Sequence, residues 1–309
     1  MTIKSNAINL IKKEANSLKN KINNTKLKIV ASAGAMGYGN GYFFKSMKLE
    51  DFSAVSTKTL TRFPRLGNFK WHKPWGTIKP ISNDGNVNYL NYSGFVNAVG
   101  LSSIGIDRWI AEHYRKIKTP EKIIISINAE DLEGFLEMIE IVNSLNVLAI
   151  EPNLTCPNDV FCVDNWMTDE AVFVKALESI CENSRHPVVL KLSASQNYIN
   201  IAEKLKNKVS AVSINSVPWK IIFPNKTSPL EKFGGGGVSG KVARPFTWRM
   251  ALSISRIVYN IPVFIPVWEA GDLEIIKRMR WNLVPSIGSS SIPPQFFKPL
   301  KIIKRANLY

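Results

Sequence analysis

The chain has 309 residues, 45% of them apolar, and a formal net charge of +16. That length and apolar content can bury one substantial core, and no apolar run approaches the roughly 18 residues a membrane-spanning helix needs, so a transmembrane protein is excluded. Cys156, Cys162 and Cys181 form an odd set without a metal-type pair, which excludes a disulfide framework and a zinc site and leaves free thiols.

In chain order, residues 1–26 form a basic extension. Ile8, Leu10, Ile11, Ala15, Leu18 and Ile22 between Asn6 and Asn23 fall near i, i+3, i+4 spacing, so a helix is expected there. It packs against the bottom of the fold, or alternatively docks on a membrane surface or a partner. The basic, polar start lacks the apolar stretch and small-residue cleavage site of a secretory leader, and a soluble, cytoplasmic protein is expected.

From residue 27 to 309, short β-rich runs alternate with amphipathic stretches. Leu27–Ser32 and Phe52–Thr57 are the first two strand candidates. Residues 62–96, rich in Gly, Pro, Asn and aromatics, are too long for an ordinary loop and read as a cap insertion. There follow a helix over Asp107–Ile117, a strand over Ile123–Ile127, a helix over Asp131–Leu145 and a strand over Val147–Ile150. A helix over Thr168–Glu182, a strand over Val188–Leu192, a helix over Asn197–Lys206 and a strand over Ala211–Ile214 continue the alternation. A second long loop, about 218–237, precedes a helix over Pro245–Val258, a strand over Val263–Val267, a helix over Asp272–Arg280 and a strand over Leu283–Ile287. Eight largely apolar strands separated by helices point to an α/β fold, a (β/α)8 TIM barrel with the cap insertion at the C-terminal face of the barrel.

In such barrels the chemistry lies at the carboxyl ends of the strands. Here those ends carry Ala33-Gly34, Lys58-Thr59, Ser126, Asn153 with Cys156, Lys191, Asn215-Ser216 and Gly288-Ser289. A thiol between two side-chain amides, as in Asn153-Leu154-Thr155-Cys156-Pro157-Asn158, could grip and deprotonate a small polar ligand. Taken singly, each residue also has a bland reading. Lys58 and Lys191 could be rim ion-pair partners, Asn153 and Asn215 loop caps, and Cys156 an inert buried thiol. His72, His113 and His186 offer no catalytic triad. The positive charge suits an anionic substrate or an acidic partner. It is spread along the chain without a recognisable nucleic-acid module, so nucleic-acid binding is not expected.

Order and spacing add a further reading. Gly34-Ala35-Met36-Gly37-Tyr38-Gly39, Thr57-Lys58-Thr59-Leu60-Thr61 and Pro64-Arg65-Leu66-Gly67-Asn68 come first. They are followed by Asn97-Ala98-Val99-Gly100-Leu101, the Asn153–Asn158 loop, Lys191-Leu192-Ser193, Ile214-Asn215-Ser216, Gly236-Gly237-Val238-Ser239-Gly240 with Arg244-Pro245, and Gly288-Ser289. Together and in this order they resemble the class 1 dihydroorotate dehydrogenases over residues 28 to 290. The resemblance implies an FMN enzyme of pyrimidine biosynthesis that oxidises dihydroorotate to orotate. It makes Cys156 the base, with Lys191 beside the flavin. Lys58, Asn97, Val99, Gly100, Leu101, Asn153, Asn158, Asn215 and Ser216 would contact substrate. Ala33, Gly34, Lys58, Thr59, Ser126, Asn153, Lys191, Ile214, Ser239, Gly240, Gly288 and Ser289 would contact FMN, and no metal is implied.

The chemistry agrees, because forming a carbon–carbon double bond needs a base on one side of the ring and a hydride acceptor on the other. A thiol with an ordinary pKa of about 8.5 would give a rate rising through weakly alkaline pH. The resemblance departs at Val267-Trp268-Glu269-Ala270-Gly271, where the family usually has Gly-Gly and where a Trp and a Glu crowd and repel a phosphate. Gly288-Ser289-Ser290, Gly236 to Gly240, Lys241 and Arg244 are expected to compensate. Ser103 and Ser126 stand where many relatives have Asn.

The chain has neither a cysteine cluster nor a dinucleotide-binding glycine motif, so any further cofactor would sit on another polypeptide, and fumarate, NAD through an iron–sulfur flavoprotein subunit, and quinone all stay open as the electron route among relatives. The implied partner is an acidic electron-transfer subunit carrying FAD and iron–sulfur, in a homodimer or hetero-oligomer. Two rivals remain from the residues: a flavin-barrel reductase acting on a uracil-like ring, either a dihydropyrimidine or dihydrouridine in RNA, and a non-catalytic relative that no longer binds flavin.

Overall fold

The computed structural model describes residues 27–39, 47–69, 73–157, 159, 162–279, 282–289 and 298–307. The helix expected over Asn6 to Asn23 lies outside them. Eight parallel strands follow one another: β1 (Val30–Ala31), β2 (Ala54–Ser56), β5 (Ile123–Ile127), β6 (Ala149–Pro152), β7 (Val189–Leu192), β8 (Ala211–Ile214), β11 (Val263–Val267) and β12 (Leu283–Ile287). Each coincides with one of the eight strands expected from the sequence. The sheet runs β6-β5-β2-β1-β12-β11-β8-β7. Its two ends are joined by a parallel bridge between Ile150 and Val188, with the Ile150 amide 2.9 Å from the Pro187 carbonyl, so the barrel is closed.

Side chains alternate across a strand with a period of two, and this alternation builds three layers. Outward-facing residues such as Val55, Ile125, Ile150, Leu190, Val212, Ile265 and Ile287 join a large cluster with the surrounding helices. The helix Leu132–Asn143 supplies Phe135, Met138, Ile139 and Val142 at helical spacing, and Glu170–Asn183 supplies Phe173, Leu177 and Ile180. Inside the barrel, one residue from every strand forms an apolar plug: Val30, Ala54, Ile124, Ala149, Val189, Ala211, Phe264 and Val284. Two residues further along each strand the same inward face carries Ser32, Ser56, Ser126, Glu151, Lys191, Ser213, Pro266 and Ser286. The barrel therefore passes from a dry plug to a polar floor within one pleat.

Side-chain caps set the helix starts. Asp131 accepts from the Gly134 amide at 2.8 Å, Asp169 from the Ala171 amide at 2.7 Å, and Asn197 from the Asn200 amide at 3.4 Å. Other segments differ from the sequence expectation. The helix expected over Asp107–Ile117 is α-helical only over Ile106–Glu112 and tightens to a 3-10 turn at Tyr114–Lys116. A π-helical turn, Cys162–Met167, and the helices Trp219–Ile222 and Lys298–Asn307 had no counterpart in the sequence reading.

The largest difference concerns the two long insertions, which combine into one antiparallel sheet. Its strands β3 (Ile78–Ile81), β4 (Gly94–Asn97), β10 (Gly237–Gly240) and β9 (Val217–Pro218) stand in that order. The central pair places Gly237 opposite Asn97 and Gly240 opposite Gly94, residues about 140 positions apart that no local pattern connects. The sheet and its turns bury a separate core that includes Ile81, Val96, Val217, Trp219, Val238 and Leu230. Glycine is required at the crossing, since a Cβ on Gly94 would collide with the Ser239 carbonyl oxygen.

Phe264 fills the space left inside the barrel by Ala54, Ala149 and Ala211 and is 4% exposed. Phe264→Ala is expected to lower stability by about 3–5 kcal/mol, measured by chemical denaturation; a loss below 1 kcal/mol would mean that the plug is not tightly packed.

Candidate active site

The first residues beyond the strands remain tied to the barrel through their backbones. The amides of Ser32, Asn153 and Asn215 donate to the carbonyls of Ile287 (2.7 Å), Ile127 (2.7 Å) and Leu192 (2.9 Å), and that of Asn128 to Leu60 (2.8 Å). The ladder thus carries its register into the loops that bear the candidate side chains. A small cavity opens above the plug, lined by Ser32, Ala33, Ser56, Glu151, Lys191, Ser213, Ile214, Phe264 and Ser286.

Two lysines meet this region in different electrostatic settings. Lys191 and Glu151 are both buried, and the Lys191 ammonium donates to Glu151 Oε1 at 3.0 Å. Glu151 Oε2 accepts from Ser213 Oγ at 2.8 Å, so both carboxylate oxygens are engaged. Lys58 follows β2, donates to Ser102 Oγ at 3.0 Å and lies 5.7 Å from the Tyr38 ring centre. Among the described residues no carboxylate forms an ion pair with it. Burial lowers its pKa to about 8, although the nearby Cys156 acts in the opposite direction.

A third group links β2, β5 and β6. Thr59 Oγ1 and Ser126 Oγ are 3.0 Å apart, and Asn153 Nδ2 donates to Thr59 Oγ1 at 3.1 Å. This leaves Asn153 Oδ1 buried without a hydrogen-bond partner, and Ser56 Oγ is in the same position. Such orphaned groups are costly unless a ligand or water completes them. Cys156 is buried in the adjoining loop at 8% exposure. Cys162 is fully buried, accepts from Asn128 Nδ2 at 3.3 Å and has its thiol pKa pushed strongly upward by burial, which suits a structural role. Asp159 holds this loop in place. Its carboxylate accepts from the Cys162 amide at 3.1 Å and pairs with Arg65 of the Pro64–Asn68 stretch.

The cap supplies the remaining candidates. Asn97 Nδ2 donates to the Gly237 carbonyl at 3.2 Å, and Asn215 Nδ2 to the Thr155 carbonyl at 2.8 Å and to Thr155 Oγ1 at 3.1 Å. Ser216 Oγ lies so close to Gly237 that any Cβ there would clash. Val99, Gly100 and Leu101 form a tight turn in which both Gly100 and Leu101 have positive φ, an unusual state for a leucine. The turn abuts Gly67, whose φ is also positive. Ser239 and Gly240 end β10, and Gly34, Gly288 and Ser289 lie in the turns after β1 and β12. Asn158 and Ser290 lie outside the described residues.

Of the expected site residues, Ala33, Lys191 and Ile214 line the cavity. Glu151, Ser213, Ser56 and Ser286, which line it as well, were not singled out from the sequence. The signal was present: each occupies the second position beyond a plug residue, on the face that alternation directs inward.

The loop after β11 corrects one expectation. The amides of Trp268 and Glu269 donate to Asp272 Oδ2 at 2.8 and 3.2 Å. The other oxygen of that buried carboxylate pairs with Arg244, which also lies 3.6 Å from Glu269. Arg244 was expected to help hold a phosphate, but it is already neutralised, and an internal carboxylate has taken the loop amides. Trp268 is buried against Phe95 and would touch any Cβ on Gly240. The residues therefore fit the ring portion of a flavin through the polar floor and the two orphaned groups. They do not fit a phosphate at the β11 loop.

Comparison with known proteins gives concordant results. A family model described as dihydroorotate dehydrogenase matches residues 17–266. The catalytic subunit of dihydroorotate dehydrogenase B (NAD(+)) from Caldicellulosiruptor bescii is 30% identical over 239 residues, covering 76% of this chain and 74% of the relative. The protein of the same name from Malacoplasma penetrans is 27% identical over 258 residues, covering 81% of this chain and 79% of the relative. A ligand-free structure of DHODH from Eimeria tenella superposes with a TM-score of 0.64 at 15% identity, over 89% of this chain and 82% of that one, and shares the fold.

Asp272→Ala would leave Arg244 and two amides without their buried partner. A stability loss of about 3–5 kcal/mol is expected, read as a lowered denaturation midpoint; an unchanged midpoint would show that the loop is not held by this carboxylate.

Proposed function

This chain belongs to the class 1 dihydroorotate dehydrogenase family, and from that premise we propose that it oxidises dihydroorotate to orotate with FMN as its flavin, Cys156 acting as the base. The observations that support the residue assignment are, beyond the carboxyl ends of β2 and β6, a buried thiol, a half-buried lysine near it with no carboxylate ion pair among the described residues, and a buried amide oxygen without a donor.

The flavin, when bound, supplies the hydride acceptor, and the chain supplies everything else. Cys156 removes the proton from one ring carbon as the neighbouring C–H leaves with its electron pair. Lys58 lies close enough to Cys156 for the two to attract one another when both are charged, and it provides the counter-ion for the substrate carboxylate. Asn97, Asn153, Asn158, Asn215 and Ser216 satisfy the ring's imide donors and acceptors, and the Val99-Gly100-Leu101 turn closes over them. Orphaned Asn153 Oδ1 is the acceptor best prepared for this, because its amide nitrogen is already committed to Thr59. Lys191 stabilises the negative charge that arrives with hydride. Ala33, Gly34, Thr59, Ser126, Ile214, Ser239 and Gly240 would border the flavin, and Gly288 with Ser289 would hold its phosphate.

The same reading extends to electron disposal. The relatives are catalytic subunits by name. Among the described residues no group of histidines, cysteines and carboxylates could hold a metal. These facts support a separate electron-transfer subunit, carrying FAD and iron–sulfur, that takes electrons from the flavin, and the net charge of +16 favours an acidic one. Among the described residues no helix is long and apolar enough to cross a membrane.

Anaerobic mixing with dihydroorotate should bleach the flavin absorbance of the purified protein, and Cys156→Ala should slow that bleaching at least 100-fold while leaving the flavin bound. Bleaching at the normal rate in the variant would refute the base. Lys58 should also impose a pH limb. Orotate affinity stays level below about pH 8 and then falls by up to tenfold per unit as the ammonium loses its proton. In Lys58→Met binding is weak at all pH values and the limb disappears; a flat profile to pH 9.5 in the unmodified protein would remove Lys58 from the substrate site.

A further inference from the structure

The buried pair of Glu151 and Lys191 calls for an explanation that packing does not supply. The interior layer directly beneath it is wholly apolar, so this barrel can be filled without charge. A buried ion pair is often no more stabilising than apolar residues of the same volume, because both ions must leave water. Glu151 is 1% exposed, and its two oxygens are fixed by partners on two different strands, Lys191 on β7 and Ser213 on β8. Glu151 and Lys191 are the two charged side chains lining the cavity.

We propose that Glu151 is a positioning residue that sets the reduction equilibrium of the flavin, by anchoring the Lys191 ammonium and offsetting its charge. The inference rests on the functional reading above. An ammonium alone in a dry site would strongly favour the reduced flavin, which carries the two electrons delivered as hydride. With a carboxylate oxygen 3.0 Å away, the lysine acts at contact range while its longer-range field becomes that of a dipole. The enzyme must also pass those two electrons on to an external electron acceptor. A floor of near-zero net charge keeps the reduced state from becoming a trap. Ser213 completes the device by preventing the carboxylate from turning away from the lysine.

The test is an anaerobic equilibrium titration of the flavin-loaded protein against a reference redox dye. Glu151→Gln preserves shape and removes one charge. It should shift the equilibrium at least tenfold toward the reduced flavin, about 30 mV upward for two electrons. Lys191→Met should shift it at least tenfold the other way. The double variant, which buries neither charge, should return to within about threefold of the unmodified protein, and it decides the matter should Glu151→Gln alone fail to fold. A merely structural Glu151 would alter melting temperature or flavin occupancy without moving the equilibrium. An unchanged equilibrium in folded, flavin-loaded Glu151→Gln, or a double variant as low as Lys191→Met, overturns the proposal while dihydroorotate bleaching in the unmodified protein leaves the functional reading intact. A protein that takes up no flavin overturns both.

Discussion

The closed parallel ladder, with its strict two-residue alternation, is the constraint from which the site follows. Every strand places one residue in the dry plug, and six of the eight next inward residues, all but Ser126 and Pro266, line the cavity. A slip of one residue in β6 or β7 would turn Glu151 or Lys191 outward into the apolar layer beneath the helices, at the cost of burying an unpaired charge. The hydrogen bonds that extend the ladder past the strand ends carry the same register to Asn153 and Asn215. Barrel closure and site geometry are therefore consequences of one hydrogen-bond pattern.

On that scaffold the two lysines are given different chemistries by their neighbours rather than by their type. Lys191 has a carboxylate partner fixed by a third residue, which makes a charged group tolerable in the interior. Lys58 has a hydroxyl and an aromatic ring, and desolvation lowers its pKa toward neutrality. A desolvated cation without a carboxylate partner is prepared for an anionic ligand, whereas a paired one acts chiefly through a short-range field. The β11 loop is the converse case. There an internal carboxylate satisfies the backbone amides and the guanidinium that an external anion would need, so Asp272 strengthens the loop and closes it to phosphate.

The cap illustrates how distant segments create a surface that neither holds alone. β4 and β10 are short and glycine-containing, and their pairing joins the β3–β4 half of the sheet to the β9–β10 half. Their pairing sets Asn97 against Gly237, and Gly237 against Ser216 at the end of β8, and so ties the cap sheet to the mouth of the barrel. Arg65 and Asp159 make a second tie, between the Pro64–Asn68 stretch and the loop that bears Cys156.

The eight strands, most of the helices around them and the strand-end location of the candidate residues could be read from the chain. Those features arise from local periodicity, capping residues and motif order, all of which are written in consecutive positions. Glu151 and Ser213 could have been found by following the inward alternation two residues beyond the plug. The cap sheet could not, because its pairing joins residues about 140 positions apart, and no pattern within either segment names the other. Nor could the capture of Arg244 by Asp272, or the isolation of Asn153 Oδ1. Partnership of a buried polar group is a property of what folds around it: the sequence by itself determined the barrel and the inventory of its reactive groups, and only the tertiary structure decided which of those groups neutralise each other and which are left for a ligand.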